Sequence, residues 1–208
     1  MLKIGVVVGS TRPNRIGRGV ADWVYKEASK RSDSIFEMLD IKDFNLPILD
    51  EPVPAGMSSR YTKPHTRNWS EKVSNMDAFI FVTPEYNHGP PAALKNALDF
   101  LYEEWNDKVA AFVGYGSLGG ARSVEILRVT LSELQMATVR TQLAFFLKTD
   151  FENFKNLKPA SHHVKTLNTM IEELISWGEA LKSTRLTELE SSERNLINKA
   201  IEQRPGMH

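Results

Sequence analysis

The chain has 208 residues, 41% of them hydrophobic and 25% charged, with 26 basic residues balanced by 26 acidic ones. That make-up builds a hydrophobic core instead of remaining disordered, and zero formal net charge argues against a general grip on nucleic acid, which needs clustered positive charge. With no cysteine, disulfides, thiolate catalysis and cysteine-held metal or iron–sulfur centres are excluded.

Residues 2–8 are a short apolar run rich in β-branched side chains, the pattern of a strand covered on both faces in a parallel sheet. The same segment is too short for a signal peptide, and no apolar run approaches the ~20 residues that span a bilayer, so a soluble, cytoplasmic protein without a membrane partner is expected. The strand ends in the turn-rich Gly9-Ser10-Thr11-Arg12-Pro13-Asn14-Arg15. Ile16, Val20, Val24 and Ala28 then recur every four residues, the stripe of a helix packed on a sheet. Phe36, Met38, Leu39 and Ile41 predict a second strand, and the stretch from Asn45 past Pro52, Pro54 and Gly56 reads as a surface excursion. Trp69, Val73 and Met76 have helical spacing and lead to a third strand over 78–82. Pro91 suits the first turn of the next helix, where its missing N–H costs nothing, and apolar positions from Ala92 to Leu101 continue it. Residues 109–113 form a fourth buried strand, followed by the loop 114–120. Val124, Leu127, Leu131 and Leu134 mark another helix, and residues 138–141 a short, polar fifth strand. His162 and His163 read as solvated loop residues and not as a metal site. A last core helix is expected from about 165 to 181, completing a domain over 1–183, with the charged segment 184–208 as a helical extension.

Strand, loop and helix repeated in this way define a doubly wound α/β fold. Right-handed crossovers place every strand-to-helix loop at one edge, so loops 9–15, 83–91 and 114–120 converge on one crevice. At the first loop, the unpaired amides and dipole of a helix start favour an anion. Ser10 and Thr11 add hydroxyls, Arg12 and Arg15 add charge, and Gly9 and Gly17 allow tight turning. The loop matches neither the nucleotide-hydrolase pattern GxxxxGK[ST] nor the dinucleotide turn GxGxxG. The other two loops offer Tyr86 and Tyr115 to stack on or flank a flat ring, and backbone donors at Gly116, Gly119 and Gly120. Either loop alone reads equally well as turn glycines and core-edge tyrosines.

Together, Gly9-Ser10-Thr11-Arg12-Pro13 with Arg15-Ile16-Gly17, Pro84-Glu85-Tyr86-Asn87, and Tyr115-Gly116-Ser117 with Gly119-Gly120 resemble the NAD(P)H-dependent FMN reductases of flavodoxin-like fold, which include quinone, azo and chromate reductases. Asn96 in the third helix fits the same pattern. The resemblance implies a three-layer α/β sandwich with a five-stranded parallel sheet in the order 2-1-3-4-5. It implies an FMN-dependent oxidoreductase that passes hydride from NADPH or NADH to a quinone, azo compound, free flavin or similar small acceptor. Ser10, Arg12, Arg15, Ile16 and Gly17 would hold the FMN phosphate; Pro84, Glu85, Tyr86 and Asn87 would line the ring and ribityl chain. Tyr115 would flank the ring, with Gly116, Ser117, Gly119 and Gly120 facing its pyrimidine side. No side chain is assigned to the chemistry itself, which belongs to flavin N5. His88 departs from the pattern of many relatives and is a candidate substrate contact. The partner of an NADPH 2′-phosphate stays open among Arg12, Lys95, Arg122 and a neighbouring subunit, and a homodimer or homotetramer is implied. Two other readings remain: a flavodoxin-like electron carrier, and a noncatalytic nucleotide-binding regulatory module.

Overall fold

Five parallel strands form one sheet: β1 (Leu2–Val8), β2 (Ser34–Asp40), β3 (Ala78–Pro84), β4 (Val109–Gly116) and β5 (Ala137–Phe146), in the order β2-β1-β3-β4-β5. That is the expected flavodoxin-like order. The computed structural model describes residues 1–202, with side chains to residue 187. Helices α1 (Gly17–Ala28) and α5 (Ser161–Glu202) cover one face of the sheet, and α2 (Pro64–Ser74), α3 (Ala92–Asp99) and α4 (Ala121–Glu133) the other.

Successive strand residues point to opposite faces. Ile4, Val6, Val8, Ile80, Val82, Ala111 and Val113 pack with α1 and α5, whereas Val7, Phe79, Phe81, Ala110 and Phe112 pack with α2, α3 and α4. Burial on both sides is why these strands appear as unbroken apolar runs. The second layer is aromatic: Phe79, Phe81, Trp69 and Trp105 meet at centroid distances of 5.0 to 6.2 Å. Each buried indole N–H finds an acceptor on α3, Trp69 at the Ala97 carbonyl (2.8 Å) and Trp105 at the Leu98 carbonyl (3.2 Å).

The fifth strand is longer than the expected 138–141. Its register with β4 shifts between Ala110↔Thr138 and Phe112↔Gln142, and pairing then runs on to Phe146. The shift frees backbone groups that two helices satisfy. Arg128 of α4 donates to the Thr138 hydroxyl (3.1 Å) and to the carbonyls of Val139 (2.7 Å) and Arg140 (3.3 Å), its guanidinium 4.9 Å from the Phe112 ring centre. Glu173 of α5 accepts from the Thr141 amide (2.9 Å) and hydroxyl (2.6 Å). The polar residues that hide the strand from a hydrophobic pattern are the ones that serve the bulge.

The C-terminal helix also differs from expectation. It begins at Ser161, and His163 is buried, with Nδ1 accepting the Ala160 amide at 2.9 Å, so it is not a solvated loop residue. Burial, helped by His162, pushes its imidazole below the ordinary histidine value. A small hairpin, β6 (Phe151–Glu152) with β7 (Asn156–Leu157), precedes it; strands of two residues leave no periodicity to read. The helix continues unbroken through position 184, and Lys182 and Arg185 both pair with Asp77 ahead of β3, at 2.8 and 2.9 Å. Most of the expected 184–208 extension, from 188 on, has side chains outside the described residues.

Replacing Arg128 with Met keeps much of the apolar stem but removes every donor to the bulge. Urea unfolding is expected to show a loss of about 1–3 kcal/mol, the cost of stranding part-buried acceptors; an unchanged midpoint would mean that water replaces the guanidinium.

Candidate functional site

β1 ends level with β3, Val8 opposite Val82, and the Gly9 amide donates to the Val82 carbonyl at 2.9 Å. A side chain at Gly9 would place Cβ 2.9 Å from Leu94 and 3.0 Å from that carbonyl, so only glycine fits the turn. The chain then enters α1 through Ile16, which is packed against the core and supplies no side-chain cap, leaving first-turn amides open to an anion. Ser10 is 1% exposed, with Oγ 3.1 Å from the Tyr86 hydroxyl, and Arg12 Nε donates to that same oxygen at 3.2 Å. The β1 and β3 loops are thereby joined. Arg15 turns inward to pair with Asp40 at the end of β2, and its Nη1 is buried without a partner among the described residues. Arg18 also reaches Asp40, at 3.3 Å. Asp40 is absent from the sequence-based site; the signal for it is an acidic residue closing a strand at the crevice edge.

The opposite wall starts where Pro84 ends β3 beside Tyr115. Tyr86 and Gly89 exchange amide–carbonyl bonds of 2.9 and 3.0 Å around Asn87 (φ 50°) and His88 (φ 70°), a tight turn with both central residues left-handed. The Glu85 carboxylate is turned toward α4, where it accepts from Arg122 Nε (2.6 Å) and from the Arg122 amide (3.0 Å), capping that helix. Burial pushes this carboxyl up, but the Arg122 bonds and charge outweigh it and hold it below the usual carboxylate range. Arg122 Nη1 lies 2.7 Å from His88 Nε2.

The 114–120 loop folds back on its own strand. A Cβ at Gly114 would sit 2.3 Å from the Gly119 carbonyl oxygen, and one at Gly120 (φ 73°) 2.8 Å from the Tyr115 amide. Gly116 is more open, with nothing nearer than 3.6 Å to such a Cβ, and Ser117 is exposed at the tip. Tyr115 is buried in the core, its hydroxyl so close to Gly17 that a Cβ there would lie 2.2 Å from it. Burial and the nearby Tyr86 push its phenol up, with Arg12 and Arg15 acting the other way. Tyr115 thus braces the first turn from below, and of the two tyrosines only Tyr86 keeps an accessible ring.

Beside this crevice, Asn96 of α3 pins the excursion, donating to the Pro47 carbonyl (2.6 Å) and accepting from the Leu49 amide (3.0 Å). A cavity of about 310 Å³, lined by Thr11, Lys42, Asn45, Ala93 and Asn96 among others, separates the excursion's start from the first turn. Glu51 closes the rest as a loop, accepting from the amides of Thr62 and Lys63, both at 2.9 Å, and from the Thr62 hydroxyl at 2.8 Å. Of the cations open for a 2′-phosphate, Lys95 is paired with Asp99 and Arg122 with Glu85, while Arg12 has no carboxylate partner among the described residues.

A doubly wound sheet with an anion-ready turn facing a glycine wall across its carboxyl edge defines a nucleotide-binding α/β domain. The sequence model of the family described as NADPH-dependent FMN reductase matches residues 2–150. The chain is 39% identical over 158 residues to the NAD(P)H-dependent FMN reductase ntnL of a Nectria species, covering 72% of this chain and 79% of that one. It is 29% identical over 150 residues to a quinone reductase of Pseudomonas putida, covering 68% and 76%. The fold is similar to that of FerB, a flavoenzyme NAD(P)H:(acceptor) oxidoreductase from Paracoccus denitrificans, with a TM-score of 0.67 at 22% identity over 86% of this chain and 98% of that one. The chain belongs to the NADPH-dependent FMN reductase family. Its crevice fits the cofactor: the uncapped start of α1 and the buried, unpartnered Arg15 Nη1 suit a phosphate monoester.

The Glu51 clamp carries a pH signature. Burial raises its carboxyl, but hydrogen bonds from Thr62 and Lys63 bring it down to about 2. A folded-state value below that of the unfolded chain stabilises the loop fully above the unfolded value, with loss as pH falls toward about 2. Exchange of the Thr62 and Lys63 amides should therefore accelerate over that acid range beyond the intrinsic pH effect, and Glu51→Gln should remove the dependence. Protection in the variant equal to wild type at neutral pH would show that the carboxylate does not close the loop.

Proposed function

We propose that the protein is an FMN-dependent reductase that draws reducing equivalents from NADPH or NADH and delivers them to quinone-type small molecules, with azo compounds and free flavin as further acceptors. The observation that carries the reading is the uncapped start of α1 beside Arg12 and a buried, unpartnered Arg15 nitrogen, facing the glycine wall of 114–120. Bound FMN supplies the two-electron chemistry; the chain supplies binding, orientation and electrostatics.

In this reading Ser10, Arg12, Arg15 and the amides at Ile16 and Gly17 hold the phosphate. Ser10 and Arg12 already share the Tyr86 hydroxyl, so securing the phosphate also sets the turn that carries Tyr86, Asn87 and the backbone of Pro84 and Glu85 along the ring. Backbone N–H groups of the 116–120 loop are the donors for negative charge that develops on a reduced ring, apart from that of Gly119, which already donates to the Gly116 carbonyl at 3.2 Å. No general acid is required, since water can protonate a reduced quinone. A flat acceptor needs an open mouth, and Tyr86, Asn87, His88 and Ser117 are all exposed there.

A homodimer or homotetramer is part of the proposal. Leu118 in the 114–120 loop, Ile126 and Val129 of α4 and Phe146 at the end of β5 are exposed, and Phe146 borders Gly119. The 45–65 excursion exposes Ile48, Leu49, Val53 and Met57 as well, so both segments are places to look for a second copy. A cytoplasmic location without nucleic-acid partners accords with zero net charge, and among the described residues no helix is long and apolar enough to cross a membrane. The division at 183/184 is kept as a functional boundary only: the helix beyond it is proposed to serve assembly.

Purified holoprotein should show a flavin band near ~450 nm that NADPH or NADH bleaches anaerobically, with parallel initial-rate lines when donor and quinone are both varied. A band that NADPH leaves intact would point to an electron carrier, and no band at all to a noncatalytic module. Arg12→Ala should weaken FMN binding by roughly 10- to 100-fold in titrations of apoprotein, as expected for loss of a charge-assisted bond, while changing bleaching of the FMN-saturated enzyme far less. Unchanged affinity would remove Arg12 from the phosphate site.

A further inference from the structure

The 86–89 turn is built under strain. Asn87 and His88 both have left-handed backbone, at φ 50° and 70°, a conformation costing an L-residue roughly 1–2 kcal/mol and tolerated by Asn better than by His. Glycine is the favoured second central residue of such a turn; the two Tyr86–Gly89 backbone bonds close it, and a side-chain bond to His88 adds to that hold. Among the described residues its ring is met by Arg122, with Nη1 2.7 Å from Nε2. Arg122 is in turn fixed by Glu85, whose side chain is 8% exposed and which binds both its guanidinium and its amide. One arginine at the start of α4 therefore grips both ends of the segment that begins at the third strand's tip.

The chemistry of that grip is one-directional. A guanidinium has only donors and keeps its proton, so His88 Nε2 must accept, which requires a neutral imidazole with hydrogen on Nδ1. Protonation would set N–H against N–H and charge against charge. Histidine is the side chain that ordinarily changes charge between pH 5 and 8. The charged groups facing His88 are Arg122 from α4 and, across that guanidinium, Glu85 from its own loop; α4 otherwise meets the turn through apolar Ile126, 3.7 Å from a Cβ built on Gly89.

We propose that Arg122 is a positioning residue for the ring-flanking turn, and that its bond to His88 is a proton-operated latch: closed while His88 is neutral, open when it is imidazolium. The proposal rests on the reading that this turn flanks FMN. It gives His88 a role distinct from a direct substrate contact, and makes FMN retention and turnover sensitive to mild acid.

Two measurements decide it. The first needs no flavin. Imidazole nitrogen spectra of the apoprotein near neutral pH should show His88 as the Nδ1–H tautomer, reverting in Arg122→Met, which has no donor, toward the Nε2–H form that free histidine favours. An Nε2–H tautomer in the wild-type chain overturns the latch. The second compares FMN affinity of wild type and His88→Gln between pH 8 and pH 5. Gln offers an oxygen that accepts from Arg122 at any pH, and the titration of the FMN phosphate itself cancels in the ratio. Wild type should lose about tenfold relative to His88→Gln across that range, the size of one charge-assisted bond. A constant ratio overturns the proposal, whereas failure of both proteins to bind FMN at any pH refutes the function reading and leaves the tautomer to judge the latch.

Discussion

The site depends on one constraint of the parallel sheet: neighbouring strands that start in register also finish in register. Val8 pairs with Val82, and two residues on Pro84 pairs with Tyr115. The turn after β1, the turn after β3 and the glycine loop after β4 therefore leave the sheet at nearly the same level, and none needs a long reach to meet the others. Ser10 touches Tyr86, and Tyr115 lies beneath Gly17. With loops this close, a Cβ has no room at Gly9, Gly17, Gly114 or Gly120, and the crevice keeps its width because the wall is backbone.

Carboxylates do much of the fastening. Asp40 takes Arg15 and Arg18, Glu51 takes two amides of the excursion, Glu85 caps α4, and Glu173 takes the amide freed by the bulge in β5. Each ties a loop or strand end to a neighbour distant in sequence, and each is a charge-assisted bond, stronger than its neutral counterpart. This is how a chain with no net charge still presents a cationic turn: Asp40 pairs with the inner Arg15 and the exposed Arg18, and Arg12 is left facing solvent.

The succession of strands and helices and the convergence of three loops were legible because they follow from apolar periodicity and crossover handedness, which are local in sequence, whereas the strand order came only with the family resemblance. The identity of the phosphate turn was legible for the same reason, its Ser, Thr and Arg residues being contiguous. What sequence did not reveal is pairing across long separations. Asp40 lies 25 residues from Arg15 and Arg122 lies 37 from Glu85, and nothing in their local context announces either partner. Tyr115 had the right location but another role, since only the packing shows that its ring is consumed by the core. The second half of β5, Leu143 to Phe146, is apolar, but the polar Arg140, Thr141 and Gln142 that serve the bulge separate it from the start of the strand and break the pattern that would join the two halves.

The most direct test of the account is a crystal structure of the protein grown with FMN. The phosphate should accept hydrogen bonds from Ser10, Arg12 and the amides that open α1, with the isoalloxazine between the Tyr86 turn and Gly116. A phosphate bound away from residues 10–17, or a ring lodged outside the space between those two loops, would contradict it.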